Sequence, residues 1–320
     1  MKQFFLAVAL LASGCCASVQ AQTYPSRQVT IVVPVAAGGA VDYVARLIAG
    51  RLADRLGKPF VVENRPGAGM INGTVAVAKA APDGHTLVMG SSTSHAINAT
   101  LYKKLPYDPT TDFVPVAHFA NSPFMLVVHP DLPVKSIGDL VAYARTKSLS
   151  YASAGPGTPH HLFAELLKTE MNIEMTHVPY RGNVPAITDV VAGHIPLMFS
   201  DPSGVPLIRD GKVRALGVSS SARVAVLPDL PPLSEVGLPG FDAVSWLALF
   251  APAGTPRDII DELNAEIRIF SALPDTKALI SKNAQIPVET PPIDALRQFV
   301  QSENARWGKV VQQAGIAGSK

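Results

Sequence analysis

Short runs of β-branched and other apolar residues alternate along the chain with stretches whose apolar positions recur every three to four residues. Val29 to Val35 reads as a buried strand. After an Ala-Ala-Gly-Gly break, Val41, Val44, Ala45, Ile48, Leu52 and Leu56 mark one apolar face of a helix. The alternation continues with strands expected at 60–63 and 86–90 and helices at 74–80 and 94–102. A second series has helices ending at Arg145 and covering 159–171 and 185–192, with strands at 149–153, 175–180, 195–199 and 215–219. Ser136 with Asp139 resembles a capping box at the first of these helices. Three final helices start near Pro256, Pro274 and Pro292, where proline suits a first turn. Such alternation is the pattern of an α/β protein with largely parallel sheets.

Two apolar stretches interrupt the series, 116–129, broken by Asn121-Ser122-Pro123, and 245–250. Both are candidate crossings, which divide the mature chain into one lobe of 22–121 with 249–320 and another of 122–248. No self-similar period suggests a solenoid. The length of 320 residues is compatible with two domains.

The first 21 residues read as a secretory leader, with Lys2, the apolar segment 4–12 and a Val19-Gln20-Ala21 cleavage site. Both cysteines, Cys15 and Cys16, fall inside it. The mature chain would then have no disulfide, cysteine nucleophile or cysteine metal site. Lipid attachment at Cys15 is the alternative, although the leucine of Leu11-Ala12-Ser13-Gly14 sits one place further away than a lipobox prefers. A soluble secreted protein is the expectation. A net charge of +2 and 7% aromatic residues argue against a nucleic-acid binder.

The candidate chemistry lies in loops that follow strands. Ala37, Gly38 and Gly39 precede a helix whose free N–H groups favour an anion, and glycines allow close approach. Asp42 either sits favourably in the first helical turn or orients that loop. Ser153, Gly155, Gly157 and Thr158 repeat the arrangement in the other lobe, followed by His160 as a candidate for selectivity. Tyr180, Arg181 and Gly182 end another strand, where Arg181 could grip a carboxylate or form a salt bridge. Ser91, Thr93 and Ser94 form a hydroxyl cluster that either caps a helix or faces a ligand. Asp201 follows a further strand and either orients loop donors or accepts from a protonated ligand. The Gly67-Ala68-Gly69 run with Gly73 misses the dinucleotide spacing, and there is no phosphate loop, HExxH or GxSxG. A triad assembled only in space remains an alternative, which makes a secreted hydrolase the enzymatic hypothesis.

From Tyr24 onward the chain resembles the Bug-type extracytoplasmic solute receptors of tripartite tricarboxylate transporters. The resemblance rests on PVAAGGAVDYVAR (34–46), ENRPGAGMING (63–73), SAGPGTPHHLFAE (153–165) and HVPYRGNVPAITDVVAG (177–193), with Asp201, GKVRALGVSSSAR (211–223) and APAGTP (251–256). It implies a two-lobed type II periplasmic-binding-protein fold, with two α/β domains joined by crossover strands. It also implies a periplasmic, non-enzymatic receptor that takes a small organic carboxylate and presents it to membrane transporter subunits. A sensor kinase is an alternative partner. No cofactor, metal or nucleic acid is called for, and a monomer is expected. On the same basis 37–42 and 153–160 would hold the carboxylate, with 91–94, 180–182 and Asp201 completing the cleft. Three departures stand out: Met70 and Asn183 replace glycines usual in the family, and His160 replaces a smaller polar residue. Closure would follow because a ligand touching both lobes favours the closed state.

Overall fold

The computed structural model describes residues 24–320; the expected leader and Cys15 lie outside the described residues. Two mixed sheets form the frame. The first contains β1 (Val29–Val33), β2 (Phe60–Asn64), β3 (Thr86–Ser91), β4 (Phe113–Pro123), β10 (Val244–Pro252) and β11 (Ile286–Pro287) in the order β11-β4-β10-β3-β1-β2. The second contains β5 (Met125–Val128), β6 (Ser150–Ser153), β7 (Thr176–Pro179), β8 (Leu197–Ser200) and β9 (Arg214–Val218) in the order β7-β6-β8-β5-β9. Helices α1 (Ala40–Leu56) and α2 (Ile71–Ala78) follow β1 and β2, and a π-helical turn Thr93–Ile97 after β3 runs into α3 (Asn98–Leu101). In the second lobe lie α4 (Ile137–Thr146), α5 (Pro159–Met171), α6 (Asn183–Val191) and α7 (Val205–Arg209). The chain ends in α8 (Arg257–Ser271), α9 (Pro274–Ser281) and α10 (Ile293–Gln313).

The expected parallel character holds only in part. β1 pairs in parallel with β2 and β3, and β6 with β7 and β8, but β10 runs antiparallel to β3 and β4, and β5 antiparallel to β8 and β9. β5 and β10 are the strands that follow each crossing; the short edge strand β11 is also antiparallel to β4. The expected interruption at Asn121-Ser122-Pro123 is strand instead, and only Phe124 separates β4 from β5. Pro256 and Pro292 sit one residue before their helices as caps, whereas Pro274 occupies the first turn. The Ser136 cap forms as expected, its Oγ accepting from Asp139 N at 3.1 Å.

The inner strands β1, β3, β5, β8 and β10 are buried on both faces, so alternate residues enter different cores. Val29, Ile31 and Val33 join a cluster with Ile48, Leu52 and Leu263, while Val32 points into another. Likewise Leu126 and Val128 face the central cluster and Met125 and Val127 a third. The central cluster holds residues of both sheets, Val88 and Phe250 with Leu126 and Phe199, and Trp307 of α10 stacks on Phe163 of α5 at 5.4 Å.

Register decides where the strand ends meet. In the first sheet Val33 pairs with Asn64, Ser91 with Leu247 and Pro123 with Val244, so the C-terminal ends of β1 to β4 share an edge with the start of β10. In the second, Met125 pairs with both Ser200 and Val218, and Ser153 with Pro179, so β6 to β9 end where β5 begins. One residue joins these edges, which therefore form a single seam. Fully buried Ser219 laces it: its N donates to Phe124 O (2.8 Å), its Oγ accepts from Phe124 N (2.9 Å) and donates to Ala243 O (2.5 Å), and Ala243 N returns to Ser219 O (2.8 Å).

Candidate functional site at the seam

The loop after β1 is exposed from Ala36 to Gly39, and a Cβ built on Gly38 or Gly39 would meet nothing within 4 Å. Gly38 has φ 89°, and its N–H donates to Asp42 Oδ2 at 3.0 Å. The Asp42 carboxylate also accepts from Arg46 Nε (2.9 Å) and Nη2 (3.1 Å) and from Asn64 Nδ2 (2.9 Å). Burial acts to raise its pKa, but the Arg46, Gly38 and Asn64 hydrogen bonds outweigh that and hold it below the usual range. Asp42 is thus a brace that shapes the loop from behind. Gly39 caps α1 without a side chain, which leaves the first-turn N–H groups to whatever occupies the seam.

At the end of β3 the hydroxyls turn inward. Ser91 Oγ accepts from Thr93 N (3.2 Å) and donates to Met70 Sδ (3.2 Å); Ser94 Oγ accepts from Ser91 N (3.1 Å) and lies 2.9 Å from His95 Nδ1. Thr93 alone of these three is half-buried rather than buried.

The corresponding loop of the second lobe is strongly braced. Ser153 Oγ accepts from Gly155 N at 3.1 Å and lies 2.6 Å from His177 Nε2. Thr158 Oγ1 donates to Gly155 O (2.6 Å), and Gly157 N donates to His161 Nδ1 (3.1 Å). His161 and His177 stack at 3.8 Å, and burial presses both pKa values down to about 4, so both rings are neutral at pH 7. Glu165 supports the set, accepting from Tyr151 Oη and Lys168 Nζ. As in the first lobe, the cap residue, Thr158, makes no side-chain cap bond; Pro159 has no N–H and His161 N donates to Thr158 O at 2.9 Å, so the first turn of α5 presents one free N–H, that of His160.

Around these loops Tyr180 Oη donates to Asp189 (2.5 Å), fixing that rim from outside, and exposed Arg181 has no ion-pair partner among the described residues. Gly182, with φ 115°, caps α6 with open space around it. Asp201 accepts from Ser203 N (2.9 Å), Ser203 Oγ (2.5 Å) and Asn183 Nδ2 (3.1 Å), and His160 Nε2 lies 3.6 Å from its other oxygen. Burial would raise the Asp201 pKa, but His160 and Ser203 outweigh it and keep the group ionised.

All the sequence-derived positions therefore sit at the ends of β1, β3, β6, β7 and β8 or in the loops and first helical turns that follow them, which the seam gathers. Their side chains, however, mostly brace loops. Arg46, Asn64, Met70, His161, His177 and Asn183 were not among the candidates; only Arg46 had a local signal, its four-residue offset from Asp42. The Ser153–His177 pair has the spacing of a nucleophile and base, yet Ser153 is fully buried and its Oγ is already bonded to Gly155. A separate hollow of about 670 Å³ lies at the other end of β9, lined by Arg209, Arg214, Val226, Leu227 and Leu230, and includes no seam residue.

Comparison with known proteins matches residues 44–316 to the model of the tripartite tricarboxylate transporter family receptor, TctC. The chain belongs to the TctC receptor family. BugT of Bordetella pertussis is 36% identical over 315 residues, covering 97% of this chain and 96% of that protein. Among solved structures, R. palustris Rpa4515 with adipate has a TM-score of 0.83 at 38% identity, covering 92% of this chain and 99% of its own. MatC from Rhodopseudomonas palustris with bound malate gives 0.77 at 38%, covering 90% and 100%. The periplasmic binding protein BugD gives 0.79 at 32%, covering 92% and 99%. The TctC family is a family of solute receptors, and its two-lobed α/β architecture is the one described here.

Proposed function

We propose that the chain captures a small organic carboxylate in the seam and presents it to the membrane subunits of a tripartite tricarboxylate-type transporter. The observation that carries this reading is the register, which gathers the strand-to-helix loops of both sheets at one edge, two of them at helix N-termini without side-chain caps. Backbone N–H groups at such termini take up an anion's oxygens without a buried lysine that would itself need a partner. Asp42, Ser153 and His161 hold those loops in shape. Exposed Arg181 is available to reach the guest at the rim. The adipate and malate held by two related structures belong to this ligand class.

The two lobes are the bodies on either side of Phe124 and Ala243, and a guest that touches both favours their closed arrangement. The leader would deliver the receptor to the periplasm. No catalytic step is part of this reading. The test is thermal unfolding of ligand-stripped protein against di-, tri- and aromatic carboxylates. At least one should stabilise the fold by about 2.7 kcal/mol at one hundred times its dissociation constant. No shift across the whole panel would remove the reading.

A further inference from the structure

We infer that His160 makes this receptor select carboxylates that carry a hydroxyl close to the charged group. The inference rests on the receptor reading and adds the ligand's second functional group.

Proton bookkeeping leads there in three steps. Ionised Asp201 is an acceptor only, so the Asn183 atom 3.1 Å from it is the NH2 group, which also donates to Ser203 Oγ at 2.8 Å. That orientation turns Asn183 Oδ1 toward His160 Nε2, 3.1 Å away. A carbonyl oxygen only accepts, so Nε2 carries the proton. In the neutral ring Nδ1 is then a bare acceptor. His160 is 6% exposed, and its Nδ1 is buried with no hydrogen-bond partner among the described residues.

Position supplies the second half. His160 lies in the first turn of α5, where its own backbone N–H is the one left without a partner, and its ring lies T-shaped against Phe124, the residue joining the two sheets, at 4.8 Å. No protein group satisfies Nδ1, and a shift of the Phe124 ring that now packs against it would open it to a guest seated at the N-terminus of α5. The helix end attracts a carboxylate, while the neighbouring lone pair repels a second carboxylate oxygen and accepts an O–H. His160 and Asn183 form a bonded pair, which ties the ring's tautomer to the asparagine.

The experiment is calorimetry on ligand-stripped protein at pH 7.5 with matched acids: malate and succinate, lactate and propionate, mandelate and phenylacetate, citrate and tricarballylate. For a pair that binds, the hydroxy acid should bind about tenfold or more tightly than its partner. His160→Ala should bring that ratio close to one. Nitrogen-15 spectra of the unsubstituted protein should show an unprotonated Nδ1 whose resonance moves toward the protonated range when a hydroxy acid binds, a change no purely structural role produces. Equal or tighter binding of the deoxy acids, a ratio unchanged in His160→Ala, or a proton found on Nδ1 would each overturn the inference and leave the receptor reading standing. If no carboxylate binds at all, both fall together.

Discussion

Four consecutive residues, Gly67, Ala68, Gly69 and Met70, have φ of 121°, 48°, 61° and 74°, a run in which two side chains occupy the left-handed region. A glycine at position 70 would suit that conformation, and methionine there costs about 1–2 kcal/mol of strain. Its side chain offers a return that Ala68 lacks. Met70 is 9% exposed and meets Ser91 at the end of β3, while the next turn of α2 is pressed on the β1 loop so closely that a Cβ on Gly73 would lie 2.8 Å from Pro34 Cβ. Opposite signs follow for the same substitution two residues apart. Ala68→Gly relieves strain at an exposed site and, after about 0.5–1 kcal/mol is given back to the more flexible unfolded chain, should stabilise by about 0.5–1 kcal/mol. Met70→Gly gains the same relief but loses a buried side chain worth about 2–5 kcal/mol, so it should destabilise by about 1–4 kcal/mol. Urea unfolding of the two variants measures both; a stabilised Met70→Gly would mean that the methionine fills nothing.

Elements were legible where burial writes a period into the sequence. β1 was visible because Val29, Ile31 and Val33 feed one core and Val32 another, and α1 because its apolar face repeats. The place of the switch between sheets was marked by polar residues, but its form was not. The Asn121-Ser122-Pro123 break reads as a loop but is strand, and what divides β4 from β5 is hydrogen bonding of Phe124 to Ser219, distant in sequence. Loops of the site were legible from their glycines, but side-chain directions were not, because Ser153 turns to His177 and Ser91 to Met70 across gaps no local pattern spans. The stacked His161 and His177 beneath the second loop have a measurable consequence. Their folded pKa values of about 4 lie below the unfolded value of about 6.5, as do those of His118 (about 4) and His95 (about 3), all lowered chiefly by burial. The unfolded chain binds more protons in that interval, so stability should be full above about pH 7 and fall as pH drops through 6.5 toward 4. The lowered carboxylates lose their contribution only at still lower pH. Urea midpoints between pH 7.5 and 5 should show the decline, and His177→Gln should flatten it; a flat profile in the unsubstituted chain would mean these rings are not held neutral.

For the molecule as a whole, the proposed function makes the seam joint and mouth at once, since the strand ends that carry the loops also carry both crossings. Closure then depends on how closely the lobes can approach beside the site. One contact reports on this directly: a Cβ on Gly157, in the second lobe's loop, would overlap Leu101 of α3 in the first. Gly157 also has φ 75°, so Gly157→Ala introduces two costs, a local backbone strain of about 1–2 kcal/mol and a steric wedge between lobes. Only the wedge distinguishes open from closed, because the strain is internal to one lobe. Gly157→Ala should therefore weaken carboxylate binding by more than its effect on unfolding explains. The double variant Gly157→Ala with Leu101→Ala should recover much of the affinity while remaining no more stable than either single change. Small-angle scattering should show the single variant more open in the presence of ligand. If trimming Leu101 restores nothing, the glycine is required for loop conformation alone, and the approach of the lobes at this point plays no part in capture.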